Sequence, residues 1–101
     1  MIDREITHIS KDKDGDLTAL CNPNELWSPK LKSMAILEIE YNTHRYFVNI
    51  GNKEVDIIIV NDRLNGKFLK MNSDTSTGNN LDDLPHGQLL SKLEEEISKL
   101  L

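Results

Sequence analysis

Cysteine, proline and aromatic residues are scarce in this chain, and long apolar runs are missing. Its 101 residues include one cysteine, three prolines and 5% aromatic residues. Because Cys21 has no second cysteine to pair with, an internal disulfide is excluded. No segment approaches the ~20 apolar residues of a membrane-spanning helix, and the first residues lack the apolar stretch of a secretory signal. We therefore expect a cytoplasmic protein with no membrane partner.

Soft metal ligands are also few. They are His8, Cys21, His44 and His86. None shows the C-x-x-C or H-x-x-x-H spacing of a zinc site. The turn from Asp12 to Asp16 has carboxylates at alternate positions, but its glycine is misplaced for an EF-hand and Pro23 stands where that motif has glutamate. We therefore expect neither a metal nor a cofactor, and we interpret Cys21 as a small buried side chain.

Basic residues are outnumbered by acidic ones, 12 against 17, which gives a net charge of -5. Binding to nucleic acid depends mainly on neutralising phosphates with lysine and arginine, so this balance disfavours it. A local patch of Lys30, Lys32, Arg45 and Lys53 keeps nucleic-acid binding as an alternative. With 38% hydrophobic and 29% charged residues, the composition is that of one globular domain with a small core.

Two strand-like runs at the start of the chain predict a β-hairpin. Apolar and polar residues alternate from Glu5 to Ser10 and again from Leu17 to Cys21. The Asp14-Gly15 pair between them favours a tight turn, because glycine accepts a positive φ and aspartate tolerates it.

A helix is predicted from Pro29 to Tyr41. Ser28 fits an N-cap residue, and Pro29 fits the first helical position. One face of this helix is apolar and comprises Leu31, Met34, Ala35, Ile36 and Ile39, whereas Leu37 falls off it and is expected to be exposed. Trp27, just before the cap, is expected to pack back on the helix; if it is exposed, it would instead anchor a partner.

The segments Tyr46 to Ile50 and Val55 to Val60 predict a second hairpin around Gly51-Asn52. A two-residue turn there sets Val48 opposite Val55 and Phe47 opposite Asp56. One face of the hairpin then collects the apolar residues Tyr46, Val48, Ile50, Val55, Ile57 and Ile59. The other face carries Arg45, Phe47, Asn49, Glu54, Asp56 and Ile58, so this sheet is predicted to be covered on one side.

The rest of the chain adds one strand and one helix to the prediction. Lys67 to Met71 reads as a fifth strand, and Gln88 to Leu101 reads as an amphipathic helix. The predicted fold is α+β: a small antiparallel sheet of order β-β-α-β-β-β with one helix packed on a face. Residues 1–85 form this domain. Residues 86–101 form a C-terminal helix that packs on the domain or on a partner, including a homodimer through Leu89, Leu93, Ile97 and Leu100.

A polar segment, Asn79-Asn80-Leu81-Asp82-Asp83-Leu84-Pro85, follows the last predicted strand. Its amides and carboxylates are suited to bonding nearby backbone groups, while Leu81 and Leu84 are suited to anchoring the loop on the core. We therefore interpret it mainly as a structural closure, with a binding loop as the alternative.

Several short motifs together resemble a known family. They are Ile6-Thr7-His8-Ile9, Asp14-Gly15-Asp16-Leu17-Thr18-Ala19-Leu20, Trp27-Ser28-Pro29, Thr43-His44-Arg45-Tyr46, Glu54-Val55-Asp56, Phe68-Leu69-Lys70 and Asn79 to Pro85. In their order and spacing they are similar to a small bacterial family described as a domain of unknown function, number 3892 (DUF 3892), over roughly residues 5 to 85. The resemblance implies a small bacterial cytosolic domain and no catalytic residues. Asn42 departs from the glycine usual in that family.

Three functions follow as hypotheses. The favoured one is a noncatalytic binding or protein-interaction module. Its candidate binding residues are Trp27, His44, Arg45, Asn79, Asn80, Asp82 and Asp83. The alternatives are a small hydrolytic or metal-assisted enzyme that uses Asp82, Asp83 and His44, and a nucleic-acid-binding protein.

Overall fold

Strands dominate the fold. The structure is a computed structural model that describes residues 1–64, 66–72, 81, 84 and 85. The elements are β1 (Ile2–Glu5), β2 (His8–Lys11), β3 (Leu17–Cys21), β4 (Lys30–Leu31), α1 (Lys32–Glu40), β5 (His44–Ile50), β6 (Lys53–Asp62) and β7 (Gly66–Met71). The prediction of a mixed α+β fold with antiparallel hairpins is confirmed at this level. Within the described ranges, no helix has the length and apolar character needed to cross a bilayer.

Two sheets replace the single predicted one. The larger has the order β1-β5-β6-β7, and the smaller has the order β2-β3-β4. The predicted strand from Glu5 to Ser10 is wrong, because the chain changes sheet within it: the Ile6 N–H donates to the Phe47 carbonyl at 2.7 Å, and the Thr7 N–H donates to the Cys21 carbonyl at 3.0 Å. The polar strand β1 pairs with β5 in parallel, so the all-antiparallel prediction is also wrong.

The first hairpin forms as predicted between β2 and β3. Ile9 faces Leu20, and a bulge lies between Ser10 and Lys11. In the turn, Asp12 Oδ1 accepts the N–H groups of Asp14 at 2.9 Å and Asp16 at 3.0 Å. These bonds satisfy two backbone N–H groups of the turn, so the Asp12 carboxylate has a local structural role.

The helix begins later than predicted. Leu31, not Ser28, is its N-cap residue and provides no side-chain hydrogen bond. Ser28 Oγ instead accepts the Asn22 N–H at 2.9 Å, and the Ser28-Pro29 peptide bond is cis. The next two residues form β4, in which Leu31 pairs with Ala19. Ser28-Pro29 has the sequence pattern of a helix N-terminus. The helix does not begin there, because Lys30 and Leu31 pair with β3 as a strand.

The helix ends in a Schellman motif. Asn42 has a φ of 57°. The Asn42 N–H donates to the Ile39 carbonyl at 3.1 Å, and the Thr43 N–H donates to the Glu38 carbonyl at 3.0 Å. Asparagine is among the few residues that adopt this left-handed conformation readily, so it serves at a position that glycine often fills.

The second hairpin has the predicted register. Val48 faces Val55 and Phe47 faces Asp56. Gly51 and Asn52 both have positive φ angles, 54° and 66°, as a type I′ turn requires. The predicted inner face is confirmed, because Tyr46, Val48 and Ile57 are buried and Ile50, Val55 and Ile59 pack against the same core.

The core joins both sheets, the helix and the polar segment near residue 85. Its buried residues are Ile6, Ile9, Leu20, Ala35, Tyr46, Val48, Ile57, Leu69, Met71 and Leu81, with Trp27 and Leu84 packed against it. The Ile9 N–H donates to the Pro85 carbonyl at 2.9 Å. Leu81 and Leu84 thus anchor the segment, as predicted. The candidate residues Asn79, Asn80, Asp82 and Asp83 and the predicted helix from Gln88 to Leu101 lie outside the described residues.

Candidate functional site

Glu38 lies at the centre of a polar cluster where α1 meets β1 and β5. Parallel pairing sets Arg4 beside Tyr46 on one face of the sheet. The Tyr46 hydroxyl donates to Glu38 Oε1 at 2.7 Å, and Arg4 Nη1 donates to the same hydroxyl at 2.9 Å. Lys30 Nζ lies 3.5 Å and His44 Nδ1 lies 3.3 Å from Glu38 Oε2. A partly buried carboxylate is therefore surrounded by donors from three separate strands, β1, β4 and β5.

Aromatic rings enclose the same cluster. The Trp27 ring meets the edge of the Tyr46 ring at 5.9 Å between centroids, and the His44 ring stacks on Tyr46 at 6.2 Å. The Arg4 guanidinium lies over the Trp27 ring, 5.2 Å from its centroid. The structure thus brings together the predicted binding residues Trp27 and His44. It also explains the position of Trp27, which packs on the core instead of projecting into solvent.

The electrostatics of the cluster stabilise the charged form of Glu38. Burial alone would raise the pKa of Glu38, but the hydrogen bond from Tyr46 and the nearby cationic groups together outweigh burial and hold this pKa below its ordinary value. Burial and the adjacent carboxylate raise the pKa of Tyr46 well above its ordinary value. The Tyr46 hydroxyl therefore keeps its proton and donates a hydrogen bond to Glu38. The cluster joins α1 to the larger sheet.

Arg45 lies on the opposite face of β5 from this cluster, because neighbouring residues of a strand point to opposite sides. Its Nε donates to Asp56 Oδ1 at 2.7 Å, and its Nη2 donates to Glu54 Oε1 at 2.9 Å. Its guanidinium also covers the Phe47 ring at 4.5 Å from the centroid. The structure therefore places the candidate residues His44 and Arg45 on opposite faces of β5 and does not bring them together. Sequence reasoning placed Arg45 and Asp56 on one face without recognising that they pair.

Cys21 is fully buried, as predicted. Burial raises the pKa of its thiol, and the weak contact of its Sγ with Ser10 Oγ at 3.6 Å does not offset this effect. Since the thiolate is the reactive form, we expect native Cys21 to react with a thiol reagent at least about tenfold more slowly than the same residue in denaturant. Absorbance after addition of a chromogenic disulfide measures both rates. Equal rates would contradict the buried position.

An open groove lies between the two sheets, and its lining residues differ from those of the Glu38 cluster. Its volume is about 730 Å³. The walls come from the turn and start of β3 (Asp12, Asp16, Leu17 and Thr18), the start of α1 (Leu31, Lys32 and Ser33) and strand β7 (Lys67, Phe68 and Leu69). This volume falls within the ~300–1,000 Å³ range of small-ligand sites. Sequence reasoning missed the groove, because its walls belong to three segments that come together only in the fold.

The charges of the groove are divided between its walls. Lys67 Nζ is paired with Glu40 Oε2 at 2.7 Å. Lys32 and the carboxylate of Asp16 form no ion pair with any described residue. The buried Thr18 Oγ1 likewise has no hydrogen-bond partner within the described ranges. With respect to the described residues, the groove therefore offers one unpaired cation and one unpaired carboxylate to a ligand.

A row of exposed apolar side chains adjoins the groove along the outer side of α1. This α1 row consists of Leu31, Met34, Leu37 and Tyr41, which are 51%, 48%, 48% and 73% exposed. The exposure of Leu37 is confirmed, but the predicted inward face of Leu31 and Met34 is wrong. The prediction that they face inward assumed that the helix begins at Pro29. In the structure, Leu31 belongs to β4, and Ala35 is the buried residue of α1.

Comparisons of the chain with protein-family models, curated proteins and solved structures found no match. The resemblance to DUF 3892 stays a prediction. In the described part of the chain, no group of three His, Cys, Asp or Glu side chains is arranged to hold a metal ion. Function is therefore inferred from the geometry of the groove, the α1 row and the Glu38 cluster.

Proposed function

We propose that this protein is a noncatalytic protein-interaction module that binds a partner through the groove and the α1 row. The observation that carries the proposal is the exposure of the α1 row beside a concave site, with Leu31 belonging to both. Apolar side chains that are contiguous and exposed next to a cavity are typical of interaction sites. The Phe68 side chain, 38% exposed on the facing wall, extends the same surface.

The polar chemistry of the described residues supports binding over catalysis. His44 Nδ1 is held between Glu38 Oε2 and Thr43 Oγ1, which lies at 2.9 Å. Glu38 is in turn surrounded by cations that stabilise its charge, so it is a weak general base. The enzyme alternative requires His44 to act with Asp82 and Asp83, which lie outside the described residues.

The nucleic-acid alternative receives less support from the basic residues. Two of the four proposed phosphate contacts are engaged with carboxylates: Arg45 with Asp3, Glu54 and Asp56, and Lys30 with Glu38. A basic side chain that already neutralises a protein carboxylate releases fewer counterions when it approaches DNA. Protein is therefore the favoured class of partner.

The proposal is tested with a displayed library of short random peptides selected on the intact protein. Met34→Glu should weaken the selected peptides at least about tenfold, because charge at the centre of an apolar contact is strongly unfavourable. The matched control is Leu26→Glu, at a leucine that is fully exposed and belongs to neither the groove nor the α1 row. Fluorescence anisotropy measures both affinities, and circular dichroism confirms that both variants fold. Failure to select any peptide, or equal binding by both variants, would overturn the proposal.

A further inference from the structure

Strand β7 is the last strand of the larger sheet as described and forms one wall of the groove. The Asn72 N–H donates to the Asp56 carbonyl at 2.7 Å, in register with the β6–β7 pairs. Because hydrogen-bonding direction alternates along an antiparallel strand, the backbone groups of Gly66, Phe68 and Lys70 also point to β6. Those of Lys67, Leu69 and Met71 point the other way. No described strand pairs with β7 on that side.

The opposite wall of the groove includes residues of β3 and β4 in the smaller sheet. Strand β4 pairs only with Ala19 and Leu20 of β3. It therefore leaves the β4 side of Leu17 and Thr18 without a strand partner among the described residues. The groove thus lies between two stretches of extended backbone that each lack a described strand partner on one side, and backbone in such positions favours the addition of another strand.

We propose that the partner inserts an extended peptide segment into this groove and adds it as a strand to the outer edge of β7. The inference rests on the proposed function and names the form of the partner. Main-chain bonds to Lys67, Leu69 and Met71 hold the segment, and its side chains determine specificity. The α1 row contacts residues of the partner that flank the inserted strand.

Charge complementarity defines the side chains of the segment. Lys32 stands on one wall and Asp16 on another, and neither is paired with a described residue. The preferred segment therefore has an acidic residue that faces Lys32 and a basic residue that faces Asp16. An apolar residue between them contacts Leu17, Leu31 and Phe68, which line the groove.

The lysines of β7 make the edge selective. Lys67 and Lys70 are both exposed on this strand. Lysine on an edge strand discourages pairing with a second copy of the same edge, because like charges would then approach each other. A segment with an acidic residue avoids that repulsion. The chemistry of the edge thus favours a complementary partner over self-association.

Hydrogen exchange of the intact protein provides the first test, with a peptide from the displayed library as the probe. NMR should show that the amides of Lys67, Leu69 and Met71 exchange at least about tenfold more slowly with bound peptide. The amides of Phe68 and Lys70 already bond to β6 and serve as internal controls, with little change. Binding without this alternating protection would overturn strand addition while leaving the interaction function intact.

Modified peptides provide the second test. N-methylation at alternate peptide positions should abolish binding, while methylation at the positions between should be tolerated, as a strand with one paired edge requires. Lys32→Glu should weaken the peptide about fivefold, and exchange of its acidic residue for lysine should restore the affinity. If the positions sensitive to N-methylation followed the spacing of a helix, or if Lys32→Glu left the affinity unchanged, the inference would be overturned. If no peptide binds at all, the proposed function fails with it.

Discussion

Replacing Leu81 by alanine should lower the free energy of unfolding by about 3 kcal/mol, the middle of the range for truncating a buried leucine. Leu81 is only 4% exposed and belongs to the cluster that contains Ile9, Leu20 and Tyr46. Further along the chain, the Pro85 carbonyl accepts a hydrogen bond from the Ile9 N–H of β2. The loss of the Leu81 side chain therefore leaves a cavity in the core that both sheets share. Urea unfolding followed by the fluorescence of Trp27 measures the change.

The matched control is Leu26→Ala, the same truncation at a leucine with no buried surface. Its effect should stay within about 0.5 kcal/mol, as is usual for surface positions. If Leu81→Ala were as mild as Leu26→Ala, the segment near residue 81 would not be part of the core. The proposed structural role of the polar segment would then be wrong.

Glu38→Gln should lower the free energy of unfolding by about 2 kcal/mol near neutral pH, a typical loss for hydrogen bonds to a charged group. The substitution keeps the size of the side chain but removes the charge that faces Arg4 and Lys30, at 3.8 Å and 3.5 Å. The two cations then remain close together in a partly buried site without a counterion. Thermal unfolding by calorimetry measures the difference between the two proteins.

The effect should depend on pH in a defined direction. The folded protein holds the pKa of Glu38 below its ordinary value of 4.5. The contribution of this group to stability is therefore fully present above pH 4.5 and is lost as pH falls through the lower pKa of the folded state. The difference between wild type and Glu38→Gln should therefore shrink as pH falls through that acidic interval.

Glu40→Gln is the matched control for the charge. Glu40 pairs with Lys67 at 2.7 Å, but both side chains are about 40% exposed. Exposed pairs are weak because water screens them, so this variant should lose less than about 1 kcal/mol. An equal loss at Glu38 and Glu40 would show that the cluster around Glu38 contributes no more than an ordinary surface pair.

The Glu38 cluster and the groove have different roles in this interpretation. The cluster joins α1 to the larger sheet, and the start of α1 forms one wall of the groove. A stable position of α1 therefore sets the distance between Lys32 and β7. We expect Glu38→Gln to weaken peptide binding only through a loss of stability, whereas Met34→Glu acts at the contact itself.

The sequence by itself determined the two hairpins and the inner face of the second one. Tight turns with Asp14-Gly15 and Gly51-Asn52 are recognisable from a few adjacent residues, and a two-residue turn fixes the register of its strands. The burial of Cys21 and the anchoring by Leu81 followed from apolar pattern alone. Each of these properties depends on residues close together in the chain.

The tertiary structure decided the parallel pairing of β1, the start of α1 and the composition of every site. Arg4 and Tyr46 are 42 positions apart, and the walls of the groove come from three separate segments. Ser28-Pro29 had the local pattern of a helix start, but Lys30 and Leu31 pair with β3 and form a strand. Contacts between distant segments depend on which edges and faces remain available after local elements form. Local patterns do not contain that information, so the candidate sites appeared only in the folded chain.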